Sequence, residues 1–267
     1  MSETAAFLPI DPVASQRWLR RQPAVSPWLH EEIARRMLER LDIIRLSTQR
    51  CLHWLPANGG WQAHARLQQR CADVQVWQAL EQTTPAPGSI DMVWANMALH
   101  MDADPRATLE QWRQCLAPGG FLLFSVLGPD SLPELRELYQ RHGWAPPGHA
   151  LTDMHDWGDS LLRMGFADVV MDAERLTLTF ATPQRLLQEL RELGRNLSPE
   201  RGKTTRGRQW LKQWYEAVQT LARPDGQLPL TFEIIYGHAM QGQQGRNEAG
   251  DVTVDLAQMR RMLLGRP

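Results

Sequence analysis

The sequence lacks several features that define whole classes of protein. No apolar run approaches the roughly 18–20 residues needed to span a membrane, and the N-terminus MSETAAFLPIDPVA has neither a basic region nor an apolar signal core. The chain has only three cysteines. Cys51, Cys71 and Cys115 stand far apart, which argues against a disulfide framework or a zinc site and favours small core residues. We therefore expect a cytoplasmic protein without a metal ion.

What the chain does contain is typical of one large folded domain with additions. It has 267 residues, of which 43% are hydrophobic and 22% charged, so it can bury a sizeable core. The net charge of −1 argues against a general nucleic-acid binder. The predicted organisation is an N-terminal arm over residues 1–25, a domain over 26–240 and a flexible tail over 241–267.

A strand–helix–strand unit lies at the centre of the predicted fold. The first strand is predicted over residues 90–95 and the second over 121–127, because both runs are short and almost entirely apolar. Asp104 can cap the intervening helix and Pro105 can occupy its first position, and the helix is expected to stop at residues 118–120. Strands that are apolar on both faces indicate a parallel sheet covered by helices. The predicted fold class is α/β, with these two strands adjacent and central.

Ligands of such sheets bind beyond the carboxyl ends of the strands. Asn96, His100 and the turn at Gly128 are therefore predicted to line a site. His100 is a candidate substrate ligand or general base, although a lone histidine more often only makes structural hydrogen bonds. Asn96 likewise either contacts a ligand or closes a turn.

Other elements follow from local patterns before and after this unit. Ser26-Pro27 is predicted to open a helix, and a helix and a strand are predicted over residues 61–71 and 74–77. A short helix is expected near Trp18. Ser131 and Glu134 form a candidate capping box for a further helix.

The C-terminal half is predicted to combine strands and helices. Residues 166–171 and 175–180 are interpreted as two strands of an antiparallel pair. Thr182-Pro183 begins a helix that Gly194 ends, residues 206–221 form another, and residues 228–236 form the last strand.

Several runs of the sequence resemble a known family. IDMVWANMALHM and LAPGGFLLFSVLGPDSLPELREL look like the fourth and fifth strands of class I methyltransferases that use S-adenosylmethionine (SAM). More narrowly, these runs, together with ARRMLERLDIIRL, LLQELRELGRN and PDGQLPLTFEIIYGHA, are similar to the biotin-synthesis enzymes that methylate malonyl-acyl carrier protein. The resemblance covers most of residues 27–240. It implies a Rossmann-like, mostly parallel sheet with antiparallel C-terminal strands, SAM as cofactor and a carrier-bound carboxylate as substrate.

The resemblance also locates the cofactor site, where this chain departs from the family pattern. The family acid after the first strand is replaced by His53, the glycine-rich turn reads WLPANGG, and the second strand ends in Trp77 instead of an acid. Only 37 positions separate His53 from Ile90, so we expect one strand–helix unit to be missing near strands 2 and 3. The degenerate cofactor-binding positions are His53, Asn58, Gly59, Gly60, Trp77 and Asn96.

One segment carries most of the positive charge. Residues 185–212 contain eight Lys or Arg against three Glu, a net charge of +5, so the remainder carries −6. By default this is a solvated helical face, but in the family the basic cap region, here residues 181–225, receives the acidic carrier protein. The arginines predicted to bind a partner are Arg191, Arg195, Arg201, Arg206 and Arg208.

Two main functions remain open at this stage. The chain is either an active SAM-dependent carboxyl O-methyltransferase, or a methyltransferase-fold protein that has lost SAM and acts by binding acyl carrier protein or an active paralogue. A third alternative is different chemistry on a protein side chain. No catalytic residue is assigned, and the losses at the cofactor positions favour the binding protein.

Overall fold

The computed structural model describes residues 7–20, 25–46, 48–78, 84–201 and 207–242, without the side chain of Asn58. In this part the helices are α1 (Pro12–Leu19), α2 (Trp28–Ile43), α3 (Pro56–Gly59), α4 (Trp61–Arg70), α5 (Pro105–Cys115), α6 (Pro133–Arg141), α7 (Met154–Arg163), α8 (Pro183–Leu193) and α9 (Arg208–Gln219). The strands are β1 (Arg50–Trp54), β2 (Asp73–Trp77), β3 (Ile90–Asn96), β4 (Leu116–Leu127), β5 (Phe166–Phe180) and β6 (Leu228–Gln241). A short 3-10 helix spans Leu99–Met101.

These six strands form one sheet in the order β2-β1-β3-β4-β6-β5. The first four run parallel, and β6 is antiparallel to both β4 and β5. β3 and β4 are adjacent and central, and most of their residues are buried, as parallel strands covered on both faces should be. The predicted α/β fold with antiparallel C-terminal strands is confirmed.

The sheet is short on the side of β1. Within the described residues β2 is the outer strand there, and its residues alternate between partly buried and exposed until Trp77. Only residues 78–89 connect β2 to β3, which is too short for another strand and a second crossover. The predicted loss of one strand–helix unit is therefore confirmed for the part of the chain that the structure describes.

Helices cover both faces of the sheet, and side chains of β3 alternate between them. Met92 and Trp94 pack on the face covered by α2 and α4, whereas Val93 and Ala95 pack on the face covered by α5 and α7. The same alternation places Leu52 and Trp54 of β1 on the α5 side. His53, between them, therefore faces α4.

Two helix starts agree with the sequence signals. The Asp104 carboxylate accepts a hydrogen bond from the Ala107 N–H at 3.0 Å, with a proline at the first position of α5. The Thr182 hydroxyl oxygen likewise accepts from the Arg185 N–H at 3.2 Å, and α8 ends before Gly194. Both starts leave fewer orphan N–H groups in the first turn.

The boundary between α5 and β4 was predicted wrongly. β4 begins at Leu116, directly after the helix, so residues 118–120 lie inside the strand and do not separate it from the helix. Ile90 pairs with Leu116 while Met92 pairs with Phe121, a register shift that places extra residues on β4. The glycine-rich stretch is therefore a bulge, which is a common position for glycine within strands.

The predicted antiparallel pair within residues 166–180 is also wrong. This segment is one continuous strand, β5, whose antiparallel partner is β6. Residues 172–174 are Asp-Ala-Glu and contain no glycine, proline or asparagine of the kind that forms a tight hairpin turn. The chain only kinks near Asp168, which has a φ of 48°.

The predicted capping box at the start of α6 is wrong as well. Its N-cap residue is Leu132, with a φ of 58° and no side-chain cap. The Ser131 hydroxyl instead donates to the Glu233 carbonyl oxygen and accepts from the Glu233 N–H, both at 3.1 Å. The Glu134 carboxylate accepts from the N–H and hydroxyl of Thr231. Both polar side chains are engaged by β6, so neither is left for the helix.

The remaining elements lie close to their predicted positions. The short helix near Trp18 is α1, α9 begins at Arg208, and β6 extends beyond the predicted end to Gln241. Arg206 and residues 243–267 of the predicted tail lie outside the described residues. None of the helices in the described part combines the length and apolar character that crossing a membrane requires.

Candidate functional site at the carboxyl edge of the sheet

The carboxyl ends of β1, β2 and β3 lie together at one edge of the sheet, which we call the carboxyl edge. A cavity of about 240 Å³ lies there. Its lining includes Trp54, Leu55 and Trp77 from the ends of β1 and β2, Asp102 from the segment after β3, and Leu19 of α1. In open α/β sheets ligands bind at this edge, so this cavity is the candidate functional site.

The turn after β1 keeps a glycine-like backbone but carries larger side chains. Leu55 has a φ of 49°, a left-handed conformation that normally favours glycine. Its N–H donates to the Trp77 carbonyl oxygen at 2.7 Å, and its side chain is 5% exposed. Pro56 follows it at the first position of α3. The chain therefore fills, with apolar atoms, a turn at which the family pattern has glycine.

Gly59 is required for the close packing of α3 on β3. A Cβ atom there would lie 2.5 Å from the carbonyl oxygen of Asn96, so α3 approaches β3 as closely as its backbone allows. Asn58, the preceding residue, lies in α3, and its side chain is outside the described residues.

His53 is buried inside the protein and faces away from the cavity. It is 0% exposed, and its Nδ1 lies 3.2 Å from Nδ1 of His64 on α4. Burial, with a smaller effect of His64, lowers the pKa of His53 to about 3, and burial also lowers the pKa of His64. Two neutral rings can share one hydrogen bond, with one Nδ1–H as donor. A neutral imidazole in this position supplies no negative charge.

Trp77 belongs to a group of three indoles in which Trp54 contacts both of the others. The Trp77 ring is parallel to that of Trp54, with the centroids 4.8 Å apart, and Trp112 contacts Trp54 edge-on at 5.3 Å. Such pairs stabilise a fold beyond the area they bury. The end of β2 therefore carries a packed aromatic wall of the cavity, where the family pattern has an acid for the ribose hydroxyls.

Asn96 uses its amide within the protein. Its Nδ2 donates to the carbonyl oxygens of His30, at 2.8 Å, and Gly59, and its Oδ1 accepts from the Ser125 hydroxyl at 2.6 Å. The side chain is fully buried. It therefore connects α2, α3 and β4, and its polar atoms already have partners.

The N-terminus of α4 is occupied by side chains of this chain. The preceding Gly60 has a φ of 115°. The Trp61 N–H donates to the Glu31 carboxylate at 2.9 Å and to the Ser26 hydroxyl oxygen at 3.0 Å, and the Gln62 N–H also donates to Glu31. A carboxylate at a helix N-terminus is favourable, and here that carboxylate comes from α2.

The carboxylate in the cavity lining was missed by the sequence reasoning. Burial raises the pKa of Asp102, which favours its neutral form. The Thr108 hydroxyl donates to one of its oxygens and the Asp104 N–H to the other, the latter at 3.0 Å. Its place shortly after the carboxyl end of β3 was the signal available in the sequence.

His100 lies beside the cavity, in a second space of about 20 Å³ that it shares with His149. The Leu197 N–H donates to His149 Nδ1 at 3.4 Å, so His149 Nε2 carries the proton and donates to the His100 carbonyl oxygen at 2.9 Å. Burial lowers the pKa of both histidines. Within the described residues no group of three His, Cys, Asp or Glu could hold a metal ion.

Gly128 lies at the end of β4 and contacts β6. A Cβ atom there would overlap the Glu233 carboxylate, and the Gly128 N–H donates to the Glu233 carbonyl oxygen at 2.9 Å. The Asp130 N–H binds the same carboxylate at 2.8 Å. Because Gly128 has no side chain, the Glu233 carboxylate can lie against the turn. Gly128 is not among the residues that line the 240 Å³ cavity.

The predicted basic surface is partly covered by the N-terminal arm. Arg201 forms an ion pair with Asp11, with Nη2 and Oδ2 2.6 Å apart, and the Arg195 guanidinium lies 5.5 Å from the centre of the Trp18 ring. Arg191 and Arg208 are exposed. Asp11 was missed, although Asp11-Pro12 is the same capping signal that was read at the start of α5.

Comparison with known proteins identifies the family. A family model described as a methyltransferase domain matches residues 25–170. A malonyl-[acyl-carrier protein] O-methyltransferase of Laribacter hongkongensis is 42% identical over 171 residues, which cover 63% of this chain and 55% of that protein. A protein of the same name from Gallionella capsiferriformans is 34% identical over 254 residues, covering 83% of this chain and 87% of the relative.

A solved structure agrees on the fold. A candidate methyltransferase from Bacillus halodurans superposes with a TM-score of 0.52 at 15% identity, covering 78% of this chain and 99% of the other. Sheet order, helix layers and the family match define a class I methyltransferase. Within that class, the chain belongs to the family of malonyl-[acyl-carrier protein] O-methyltransferases.

The family uses SAM, and the described residues at this carboxyl edge differ from the groups that the family pattern provides for it. SAM carries a sulfonium, an ammonium group and two ribose hydroxyls, for which the family pattern provides acids after the first and second strands. Here those positions hold a neutral, inward-facing His53 and the stacked Trp77. Asn96 is already hydrogen-bonded, and the Asp102 carboxylate accepts hydrogen bonds from Thr108 and from the Asp104 N–H. These residues do not fit SAM in the manner of the family.

Proposed function

We propose that this protein binds acyl carrier protein and does not itself bind SAM or transfer a methyl group. Its binding would support the reaction for which its relatives are named, the methylation of malonyl-acyl carrier protein. The family membership supports the substrate class. The observation that supports the loss of SAM is the turn between Trp54 and Gly60, where Leu55 and Pro56 carry apolar side chains and Trp77 stacks on Trp54 in place of the acid of the family pattern.

The basic segment supports the carrier protein as partner. Arg191 and Arg208 are exposed, and neither forms an ion pair within the described residues. Arginine side chains suit carboxylates and phosphates because their planar forks bind two oxygens at once. An acidic protein approaching this surface would gain mainly in association rate. An active paralogue with an acidic surface is the other partner that this charge would suit.

A second candidate is an active carboxyl O-methyltransferase. It is favoured by the similarity over 83% of this chain to a relative with that name and by the cavity of about 240 Å³ at the carboxyl edge. Alignment of the reacting groups can supply most of the rate in a displacement reaction. The absence of an assigned general base therefore does not count against this candidate.

A SAM titration separates the two candidates. By calorimetry of the full chain we expect no binding heat at SAM concentrations up to about 1 mM, a free energy weaker than about 4 kcal/mol. A parallel assay with malonyl-acyl carrier protein and methyl-labelled SAM should give no labelled carrier protein. Micromolar affinity for SAM together with labelled carrier protein would establish that the chain is an active methyltransferase and would refute the proposal that it acts only by binding.

Capture of the carrier protein tests the partner. The double variant Arg206→Glu/Arg208→Glu should bind acyl carrier protein at least several-fold more weakly than the wild type, and wild-type binding should weaken as salt rises. Arg163→Glu on α7 is the matched control, because it reverses an exposed arginine of the opposite face. Capture that is equal in all three proteins and insensitive to salt would show that the basic segment is only a solvated surface.

A further inference from the structure

The arm helix α1 contacts the basic segment through Asp11 at its start and through Trp18 near its end, where the ring centre lies 5.5 Å from the Arg195 guanidinium. At its start the Asp11 carboxylate pairs with Arg201 at 2.6 Å, and the Asp11 N–H donates to the Leu197 carbonyl oxygen at 2.8 Å. The ion pair is partly open to solvent, with 26% of the Asp11 side chain and 35% of the Arg201 side chain exposed. An external carboxylate can therefore reach the same guanidinium.

One aromatic side chain near the end of α1 and one hydroxyl in its middle hold the helix against the rest of the protein. Trp18 is 8% exposed and packs in a small cluster with Ile10, Met101 and Leu197. The Ser15 hydroxyl donates to the Met101 carbonyl oxygen at 2.6 Å. This cluster is separate from the two larger cores of the sheet, and of the residues of α1 only Leu19 packs against one of them, so release of α1 would leave most of both cores unchanged.

The end of α1 reaches the cavity at the carboxyl edge. Leu19 is the last residue of the helix and lines the cavity together with Trp54 and Trp77. The same eight-residue helix therefore covers both the basic segment and the candidate site. Moving it would change access to both.

We propose that α1 is a strap that occupies the basic surface from within, and that an acidic partner displaces Asp11 from Arg201, releases α1 and opens the cavity. Exposed ion pairs change an equilibrium only about 1.5- to 5-fold, so a partner with several carboxylates can replace this one. The strap and the partner bind the same arginine, so each lowers the affinity of the other. Only the identity of the partner rests on the proposed function, since the competition itself needs no more than an acidic surface.

The test compares one substitution at two places. Asp11→Asn removes the charge that pairs with Arg201 but keeps an oxygen that can accept from the Val13 and Ala14 N–H groups, so α1 keeps its cap. Asp42→Asn is the matched control. It breaks a partly exposed Asp–Arg pair of 2.7 Å with Arg70, close to the opposite edge of the sheet.

The readouts are hydrogen–deuterium exchange of residues 7–20, with residues 28–43 as internal reference, and the affinity for poly-L-glutamate at two salt concentrations. We expect Asp11→Asn to raise exchange in 7–20 and to bind poly-L-glutamate about two- to five-fold more tightly than the wild type. Bound poly-L-glutamate should raise exchange in 7–20 of the wild type but not in 28–43. Asp42→Asn should match the wild type in all of these measurements.

The outcomes distinguish this proposal from the proposed function. If poly-L-glutamate binds while residues 7–20 stay protected, or if neither wild type nor Asp11→Asn binds it, the strap is refuted. If poly-L-glutamate releases α1 but acyl carrier protein neither binds nor releases it, the strap stands and the carrier protein is the wrong partner. Release of α1 by both supports the two proposals together.

Discussion

The two sides of the sheet differ in how their polar groups are used. From β1 to β4, polar side chains pair with one another inside the fold, as His53 does with His64 and Asn96 with Ser125. Beyond β4, charged side chains stay at the surface, among them Arg191 and Arg208. In the described residues the first side is closely packed, and the second presents charged groups that a partner can reach. A fold does not by itself determine the site that it carries.

The largest effect is expected from restoring the acid of the family pattern at the end of β2. Trp77→Asp removes a 6%-exposed indole from its stack with Trp54 and places a carboxylate among apolar groups. We expect a loss of about 3–5 kcal/mol in the free energy of unfolding, measured by urea denaturation. The stability of this edge depends on the packing of the two indoles. The new carboxylate should therefore destabilise the edge and should not restore a cofactor site.

An exposed tryptophan provides the control for that change. Trp28 is 59% exposed at the start of α2, so Trp28→Asp should change the unfolding free energy by no more than about 0.5 kcal/mol. The Trp77→Asp protein could instead be as stable as the wild type and bind SAM in the same titration. That result would show that the end of β2 does not depend on packing, and the proposed difference between the two sides of the sheet would be wrong.

Strong local patterns predicted the fold well. The central strands, the helix starts at Asp104 and Thr182 and the missing unit after β2 follow from apolar runs, caps and chain length, which depend on nearby residues. The errors arose where contacts with residues far away in the sequence determine the local structure. Ser131 and Glu134 read as a cap but bind β6, about a hundred positions away.

The candidate site was predictable in position but not in detail. The carboxyl edge follows from the parallel sheet, and the departures at His53 and Trp77 are visible in the sequence. The direction of each side chain is not, because it depends on tertiary contacts such as those of Asn96 with His30 and of Asp11 with Arg201. Whether these positions bind any ligand stays a prediction.

A smaller loss is expected where α3 meets β3. In Gly59→Ala the new Cβ would lie 2.5 Å from the Asn96 carbonyl oxygen, so the backbone must shift. We expect a loss of about 1–3 kcal/mol in urea denaturation. Gly148→Ala is the control, because nothing lies within 4 Å of its Cβ position and its expected change is within about 1 kcal/mol. Equal stabilities of the two variants would mean that α3 is packed loosely and that the turn has room for a ligand.

The last effect concerns the dependence of stability on pH. The pKa of His53 is lowered to about 3 in the folded protein from a usual value of 6.5. Between these values the unfolded chain binds a proton at this residue and the folded protein does not, so stability falls as pH decreases from about 6.5 towards 3. One such proton changes the free energy of unfolding by about 1.4 kcal/mol per pH unit.

His53→Leu should remove that proton while keeping an apolar side chain in the same place. Urea denaturation at pH 4.5, 5.5 and 6.5 should give a shallower dependence of stability on pH than in the wild type, by close to one proton near pH 5. Part of the slope should remain, because burial also lowers the pKa of His64, His100 and His149. His142→Leu changes an exposed ring and should keep the wild-type slope. If His53→Leu keeps it too, His53 is hydrated or charged in the folded protein, and the first turn is open enough to meet a ligand after all.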